Sequence, residues 1–414
     1  MKTDSRLTKR GQKNRKDVWT AVVPLPRAAD GARRQHRFTF VGNKKDAEKA
    51  LIVELASIGN GSFVAPDHTT LGQYIKKFLA DTKLTFASKT WERFEGIARV
   101  HVIPTLGDHV LQHLKASDLR SAYATWRAAG LSAQTVVHHH RFLHRVLEEA
   151  FEDGKTSKNV AHMKKGRGPK AGRREMRFLT AREISAVFSA ADGTYFSPLI
   201  AIALATGARR GELLALKWDD VDLARGTVAI RRSLEQTKCG VAEKTPKSGK
   251  ARAVALTVGA VETLRRLRLS EADVRGIGSV AGARYVFADI DGGAWSPHKV
   301  TDGFRAIARR AGVVPAPIRK RATTRSGRQA SAEALREPRA KRPAEITFHS
   351  LRHTCATMLL SQGVHPKIVQ EMLGHSTVSI TMDLYSHSTP SLQSEAAQRL
   401  EAVLHLPGAG AASA

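Results

Sequence analysis

Four side chains that could act on a phosphate lie close together near the C-terminus, within residues 348–387. His349 and Arg352 are three residues apart in a run whose apolar residues recur at helical spacing, so both should share one helix face. His375 follows in a predicted turn, and Tyr385 lies in a final short helix. Such a face could bind an anion. Taken singly, ordinary roles are favoured: a helix-surface H-x-x-R pair and a half-buried core tyrosine.

Another candidate for phosphate binding lies far upstream, in the segment ATGARRGELLAL. Gly207 should end one helix and leave Arg209 at the start of the next. Free backbone amides and a guanidinium could meet the same phosphate there. Glu212, three residues on, could brace this arginine. The alternative is that Arg209 is a solvated surface residue.

A lysine in the segment TPKSGK is the least distinctive candidate. Lys247 lies in a tight connection between two predicted strands, 239–243 and 251–256. A lysine at a hairpin tip can reach into a DNA groove, but it can equally be a solvated loop residue. Lys244 and Lys250 are neighbours with similar claims.

These residues make chemical sense as a group. A tyrosine can attack a DNA phosphodiester in line and conserve the bond energy in a phosphotyrosine bond. Two guanidiniums can stabilise the charge of the transition state. A lysine can protonate the departing 5′-oxygen, while one histidine accepts the phenol proton and the other holds a phosphate oxygen. The candidates are Arg209, Lys247, His349, Arg352, His375 and the nucleophile Tyr385.

The rest of the sequence favours chemistry without a cofactor. It has no acidic cluster spaced for the paired metals of ordinary nucleases, and no Gly-rich loop ending in GK[ST] for ATP. We therefore predict covalent catalysis without metal. Cys239 and Cys355 provide neither a disulfide framework nor a zinc cluster, which fits a reducing cytoplasm.

Composition predicts a polyanionic partner. The 414 residues include 67 lysines and arginines against 38 acids, for a formal net charge of +29. Nucleic acid is the simplest partner for so basic a chain, and a membrane surface is the competitor. No run approaches the ~18 apolar residues of a spanning helix, and the N-terminus lacks the apolar core of a signal peptide. We expect a cytoplasmic, nucleoid-associated protein that binds double-stranded DNA.

The first 62 residues suggest a small module behind a basic arm. Residues 1–17 carry almost nothing apolar and are predicted to be disordered, either ordering on phosphates or merely solubilising the chain. Residues 18–62 contain two short strands, 18–25 and 33–41, followed by a helix from about Lys44. This sheet-plus-helix unit suits docking or DNA reading.

Residues 68–163 are predicted to form an all-helical domain that starts at about Thr70. The triplet His138–His140 invites interpretation as a metal site. However, consecutive helix residues point in different directions, and no carboxylate or cysteine is spaced to complete the site. A solvated or DNA-facing surface is favoured, and we predict no metal.

Glycine and basic residues dominate 164–177, which should be an exposed linker that lies along a phosphate backbone or acts as a simple tether. Residues 178–390 should form a mixed α+β domain, with a capping box at Thr180. Within it, residues 315–345 are basic and lack an apolar pattern, which predicts a mostly disordered insertion. Residues 391–414 should form a C-terminal helix and a tail.

The motifs ATGARRGELLAL, TPKSGKARAVAL, HSLRHT and LGHSTVSITMDLYSH together resemble those of the tyrosine recombinases, in particular the phage-integrase branch. The resemblance covers about residues 177–387, and extends more loosely over the helical domain. It implies a multidomain protein, mainly α with small β-sheets. The expected parts are an arm-binding-like module, a helical core-binding (SAM-like) domain and the catalytic domain.

The resemblance also implies the role of each candidate. Tyr385 becomes the nucleophile, Arg209 and Arg352 the phosphate clamp, Lys247 the general acid, His349 the acid/base residue and His375 a phosphate ligand. The role of Glu212 looks structural. By similarity, a C-shaped clamp would surround DNA, four protomers would exchange strands through a Holliday junction, and the last helix would dock on a neighbour. The insertion at 315–345 departs from the family pattern.

Three functions remain in competition at this stage. The first is integration and excision of a phage or other mobile element, with DNA-bending accessory proteins as further partners. The second is a catalytically silent DNA-binding accessory protein or regulator with the same fold. The third is a type IB-like topoisomerase, which would relax DNA as a monomer. The filled set of six residues argues against the second, and the N-terminal module and the C-terminal helix argue against the third, so the first is favoured.

Overall fold

The computed structural model describes residues 7–13, 16–25, 34–59, 63–163, 167–172, 176–246, 249–275, 285–289, 291–314, 346–385 and 400. For residues 25, 34, 271–275 and 383–385 it describes the backbone alone. The chain divides into two compact units, Met1–Gly172 and Arg173–Ala414. The predicted insertion at 315–345 lies outside the described residues, as does the predicted C-terminal helix apart from residue 400. Among the described helices, none combines the length and apolarity needed to cross a membrane.

The first unit begins with a three-stranded antiparallel sheet and one helix. The strands pair in chain order, β1–β2–β3, and alternate side chains of β2 and β3 pack against the helix, as in the buried Val23 and Leu51. The elements are β1 (Thr8–Lys13), β2 (Lys16–Leu25), β3 (Arg34–Val41) and α1 (Lys44–Gly59).

Strand β1 corrects the prediction that residues 1–17 form a disordered arm. Its side chains are all exposed, so its sequence has no apolar alternation that would predict a strand. The strand is held instead by main-chain pairing with β2, from Thr8 opposite Thr20 to Lys13 opposite Lys16. An edge strand rich in charge needs no buried face, because its backbone groups are satisfied by its neighbour.

The helical domain follows within the same unit and has its own apolar core, with Leu71, Phe142 and Leu143 fully buried. Thr70 accepts the amide of Gln73 and forms a capping box at the start of α2. The helix α3 continues through a π-helical turn, Ala98–Val102, into α4. The helices are α2 (Leu71–Asp81), α3 (Ser88–Ile97), α4 (Ile103–Leu106), α5 (Ala116–Ala128) and α6 (Ala133–Glu152).

The triplet His138–His140 on α6 is only partly a surface feature, contrary to the prediction of a solvated or DNA-facing patch. His139 is 2% exposed and packs its ring at 4.8 Å from that of Trp126. Burial is the main reason that its pKa falls to about 4. The ring of His140 lies within hydrogen-bond distance of the Tyr123 hydroxyl, at 2.8 Å. These neighbours come from α5, and the triplet alone could not reveal them.

The second unit packs helices around a core that includes Leu199, Phe304 and Leu351. The predicted capping box of Thr180 with Glu183 is confirmed at the start of its first helix. Arg177, placed in the linker by sequence, pairs with Glu183 and donates to the Val313 carbonyl, so it already belongs to this unit. The helices are α7 (Ala181–Ala191), α8 (Phe196–Thr206), α9 (Arg210–Leu214), α10 (Val258–Arg275), α11 (Pro297–Arg310), α12 (Phe348–Ser361), α13 (Pro366–Leu373) and α14 (Val378–Tyr385).

Two small sheets complete the second unit, one with the order β4–β5–β8 and the other pairing β6 with β7. The predicted hairpin across TPKSGK is therefore wrong. β7 pairs with β6, and β8 pairs with β5, so the intervening segment crosses between sheets. Strand β6 was missed because its sequence, SLEQT, has little apolar alternation. The strands are β4 (Val221–Asp222), β5 (Thr227–Ile230), β6 (Ser233–Thr237), β7 (Gly240–Lys244) and β8 (Arg252–Ala255).

Candidate active site

The first arginine of the site is positioned by a left-handed turn at the end of α8. Gly207 has φ +60°, and a Cβ there would lie 2.3 Å from Leu373 Cδ2 and 3.2 Å from Cys355 Sγ. Glycine is thus required both by the backbone and by the close approach of α12 and α13. The predicted break at Gly207 is confirmed, and Arg209 becomes the N-cap of α9.

Glu212 fixes Arg209 from the first turn of α9. Its Oε2 accepts the main-chain N–H of Arg209 at 2.9 Å, and its Oε1 accepts Nη1 at 2.8 Å. The other terminal nitrogen, Nη2, donates to the Gly374 carbonyl at 3.1 Å. Glu212 is 1% exposed, whereas the Arg209 side chain retains about a quarter of its surface, at 26%. The guanidinium is therefore held in place while one side faces solvent.

A second arginine, Arg252 at the start of β8, shares the same carboxylate. Its Nη2 lies 2.6 Å from Glu212 Oε2, and its Nε donates to the Met372 carbonyl at 2.8 Å. Burial by itself raises the pKa of Glu212, but hydrogen bonds and charge from Arg252, with Arg209, bring it below its ordinary value. The carboxylate is therefore ionised at neutral pH.

Arg352 lies on α12 and is 3% exposed. Its Nη1 donates to the carbonyl of Gly207 at 2.8 Å and to that of Leu373 at 2.7 Å. Burial, followed by the charge of Arg209, lowers its pKa, yet a guanidinium remains positively charged at neutral pH. Its buried Nη2 has no hydrogen-bond partner among the residues that the structure describes.

The three arginines converge on consecutive carbonyls at the end of α13. Arg252 binds the carbonyl of Met372, Arg352 that of Leu373, and Arg209 that of Gly374. Such main-chain oxygens at a helix C-terminus carry partial negative charge and favour cations. Arg209 and Arg252 share the carboxylate of Glu212, whereas Arg352 is held by main-chain carbonyls, so three guanidiniums stand against this one described carboxylate, a net charge of +2 (three minus one). An anion with several acceptor oxygens, such as a phosphodiester, fits this excess.

Two histidines of α12 stand near the arginines. The rings of His349 and His353 meet edge to face, with centroids 4.7 Å apart. One side of His349 is exposed. Burial of the rest of the ring is the main cause that lowers its pKa below the ordinary value, and the charges of His353, Arg352 and Arg209 lower it further. Neutral His349 at pH 7 has a free lone pair that can accept a proton.

His375 occupies the turn after Gly374, which ends α13 in the left-handed conformation, as predicted. Its Nδ1 lies 2.9 Å from the hydroxyl of the buried Thr381 on α14. Burial and the charges of Arg352 and Arg209 lower its pKa to about 3. This contact joins the arginine cluster to the helix that ends at Tyr385.

The predicted set is thus brought together only in part within the described residues. Arg209, Arg352, His349 and His375 surround the end of α13. The backbone of Tyr385 ends α14, which contacts α12 and α13, but its side chain is not among those described. Lys247 lies outside the described residues.

Two nearby residues of the site were not identified from the sequence, and the choice of lysine was left open. Arg252 was overlooked, although it lies in the quoted segment TPKSGKARAVAL; its role depends on a contact with Glu212 from another element. His353 lies outside the H-x-x-R motif, which includes His349, and its contact with His349 could not be read from that motif. Lys244, an alternative to Lys247, pairs with Glu235 across β6 and β7.

Comparison with known families agrees with this arrangement. The model described as the phage integrase family matches residues 177–391, and the model of the phage integrase N-terminal SAM-like domain matches residues 70–127. The first match covers more than half of the 414 residues. The chain belongs to the phage integrase family and is a tyrosine-type site-specific recombinase.

Individual relatives match along most of the chain. A protein of Caldanaerobacter subterraneus subsp. tengcongensis named tyrosine recombinase XerC-like is 26% identical over 409 residues, which cover 94% of this chain and 97% of that protein. The integrase of transposon Tn1549, solved with a circular intermediate DNA, has TM-score 0.63 and 20% identity over 80% of this chain and 99% of that one. A lambda integrase tetramer bound to a Holliday junction has TM-score 0.56 and 17% identity over 93% and 95%. Both structures share the fold.

Proposed function

We propose that this protein integrates and excises a mobile element by cleaving and rejoining DNA through a 3′-phosphotyrosyl intermediate. The observation that carries the proposal is the cluster of Arg209, Arg252 and Arg352, in which the first two share the carboxylate of Glu212 and the third is held by main-chain carbonyls, so that positive charge is in excess. A preorganised group of this kind binds the phosphodiester and stabilises the charge that builds on its oxygens during displacement. Donors fixed before the substrate arrives need little reorganisation during the reaction.

In the proposed cleavage step, the Tyr385 oxygen attacks phosphorus as the bond to the 5′-oxygen breaks. The phenol proton passes to His349, whose lowered pKa leaves it neutral and able to accept it. Lys247 gives a proton to the leaving 5′-oxygen. Arg209 and Arg352 bind the non-bridging oxygens, and His375 binds one of them as well. Rejoining reverses these transfers with the 5′-hydroxyl of a partner strand, so no external energy source is needed.

For the assembly, we propose four copies acting on two DNA duplexes. The lambda integrase tetramer on a Holliday junction, which shares this fold, supports that arrangement. The helical domain, residues 68–163, and the catalytic domain, residues 178–390, would each bind DNA. The C-terminal segment, residues 391–414, would dock on a neighbouring copy. The sheet-plus-helix module would bind arm-type sites, with its start moved to residue 8 because of β1.

DNA-bending accessory proteins remain proposed partners of this assembly. Because DNA is the proposed substrate, we propose the bacterial cytoplasm, where the nucleoid lies, as the place of action. The strong positive charge, +29, supports long-range attraction to DNA and predicts binding that weakens as salt rises.

A nicked suicide substrate bearing the attachment site next to the gene tests the proposal. The wild-type protein should form a detergent-stable adduct and, on a plasmid with two sites, recombinant products. Tyr385→Phe should abolish the adduct while DNA binding stays within a few-fold. Arg352→Lys should slow adduct formation by about 100-fold or more, because a lysine lacks the planar guanidinium that donates to both carbonyls from Nη1 and leaves Nη2 for a phosphate.

Tyr195→Phe is the matched control, because Tyr195 is 76% exposed, and it should form adduct at the wild-type rate. Wild-type binding without an adduct would instead favour the accessory-protein alternative. Plasmid relaxation without recombinants would favour the topoisomerase alternative.

A further inference from the structure

A second group of side chains that could bind a ligand lies in the helical domain, outside the candidate active site. His144, Glu148 and His162 each present one potential ligand atom, and these three atoms all lie within 4.8 Å of one another. His144 and Glu148 are four residues apart on α6, so they share one helix face. His162 comes from the segment that follows the helix. The sequence predicted no metal, because neither its acidic residues, its two cysteines nor the triplet His138–His140 has the spacing of a metal site, and the approach of His162 to His144 depends on the fold.

Asn159 holds the two parts of this group together. Its Nδ2 donates to the His144 carbonyl at 3.0 Å and to Glu148 Oε2 at 2.5 Å, while its Oδ1 accepts the amide of Ala161 at 2.9 Å. The main-chain carbonyl of Asn159 accepts the amide of His162 at 3.1 Å. One side chain therefore fixes both the carboxylate and the turn that carries the second imidazole. Hydrogen bonds that orient ligands in this way are a regular feature of protein metal sites.

The donor set defines the chemistry of the ligand. Two imidazole nitrogens and one carboxylate oxygen are the ligands that Zn²⁺ takes in proteins, and three of them leave one position of a tetrahedron for water. The rings of His144 and His162 lie with centroids 5.5 Å apart, close enough for their nitrogens to converge with only rotamer adjustment. We propose that His144, Glu148 and His162 bind one Zn²⁺ ion per chain.

The expected role of this zinc site is structural. Zinc would link α6 to the turn at residues 159–163, just before the linker of residues 164–177. His162 is exposed and lies near the end of the helical domain. Three coordination bonds to the ion would therefore fix this end of the domain to α6. This role is independent of DNA cleavage, and it can be tested without an activity assay.

The test uses the full-length protein without a polyhistidine tag, freed of metal by a chelator. Zn²⁺ titration by calorimetry should give one site per chain. Saturation at about 100 times Kd should raise Tm by roughly 4 °C, and Co²⁺ should give the visible absorption of a tetrahedral site. His162→Ala and Glu148→Gln should each weaken Zn²⁺ binding at least about tenfold. Glu148→Gln nearly keeps the side-chain shape, so it separates ligand loss from misfolding.

Two histidine variants serve as controls. His109→Ala replaces an exposed histidine of the same domain that lies outside the group, and Zn²⁺ affinity should stay unchanged. His138→Ala tests the neighbouring triplet and should also leave it unchanged. Unaltered affinity in both His162→Ala and Glu148→Gln would overturn the proposal. If Zn²⁺ binding were lost in His138→Ala but retained in His162→Ala, the ion would lie at the triplet His138–His140. That result would also overturn the proposal.

Discussion

Arg209 and Gly374 are 165 residues apart in the chain, yet Arg209 Nη2 donates to the Gly374 carbonyl at 3.1 Å. This bond links the N-cap of α9 to the left-handed turn that ends α13. Arg352 makes the matching link in the other direction, from α12 to the Gly207 carbonyl. The two motifs that bear the arginines are therefore locked to each other in the fold, and the anion site is organised before DNA arrives.

Glu212 is the first residue on which this organisation depends. Glu212→Gln removes the carboxylate that Arg209 and Arg252 share, and it leaves the nearly buried Arg252 and the partly exposed Arg209 without their counter-charge. We expect the free energy of unfolding to fall by about 3 kcal/mol, because breaking a buried ion pair from one side is costly. Urea titration of the full chain measures the change.

Glu371→Gln is the matched control for that experiment. Glu371 pairs with Lys367 on the surface, where its side chain is 66% exposed, and its replacement should change stability by less than about 0.5 kcal/mol. Equal stability losses in the two variants would show that Glu212 does not hold the arginine cluster together.

Gly207→Ala tests the close approach of α8, α12 and α13. The new methyl group would stand 2.3 Å from Leu373 Cδ2, in a backbone conformation that disfavours any side chain. We expect a loss of about 3 kcal/mol from strain and overpacking together. Gly193→Ala has a similar φ of +65° but open space around its Cβ, so it should lose only about 1 kcal/mol. Thermal and urea unfolding compare the variants, and equal losses would contradict the predicted clash.

His375 should make stability depend on pH. Its pKa is about 3 in the folded protein and near 6.5 in an unfolded chain. Below about pH 6.5 the unfolded chain takes up a proton that the folded protein does not, so stability falls as the pH drops toward 3. Above pH 6.5 this contribution is constant. The slope should be at most about 1 kcal/mol per pH unit, because solvent partly screens the half-buried ring.

His375→Asn should reduce this slope between pH 6.5 and 5, since it removes one titrating ring but can still hydrogen-bond to Thr381, while His139 and His349, whose pKa values are also lowered, keep their share. The control, His298→Asn, alters an exposed histidine on α11 and should keep the wild-type slope. Urea unfolding at several pH values gives the comparison. A wild-type slope in His375→Asn would assign the pH dependence to other groups.

The N-terminal module can be tested by deletion. Residues 1–62 include the whole sheet with α1, whose small core of Ala21, Val23, Phe38 and Leu51 is separate from that of the helical domain. We expect the deletion to weaken binding at sites distant from the crossover by at least about tenfold, and to spare cleavage at the core site. Footprinting on a complete attachment site measures both. Unchanged distal footprints would show that the module does not bind arm sites.

Local signals predicted much of the fold. Gly207 and Gly374 each end a helix in the left-handed conformation, and Thr70 and Thr180 each begin one through a capping box. Helix periodicity located most helices because their apolar faces repeat along the chain. Strand β1 escaped because all of its side chains are exposed, and nothing in its own sequence reports pairing with β2.

Motifs in the sequence identified candidate residues for the site, whereas residues that matter through tertiary contacts were not identified. Arg209, Arg352 and His375 were recognised from their segments. Arg252 was overlooked because its importance lies in a hydrogen bond to Glu212 across 40 residues of chain. The contact between His144 and His162 could not be predicted for the same reason, because it depends on the turn that Asn159 stabilises. Spacing alone does not report such tertiary contacts.

The identity of the nucleophile is the central claim, and mapping the covalent adduct tests it most directly. The chain has five tyrosines, so the phosphotyrosyl peptide can be assigned without ambiguity. The adduct trapped on the nicked substrate is treated with nuclease and protease, and mass spectrometry locates the residual nucleotide. We predict the modification on Tyr385 in the wild-type protein and no adduct in Tyr385→Phe. A nucleotide attached to Tyr195, Tyr285 or any other residue would contradict the account.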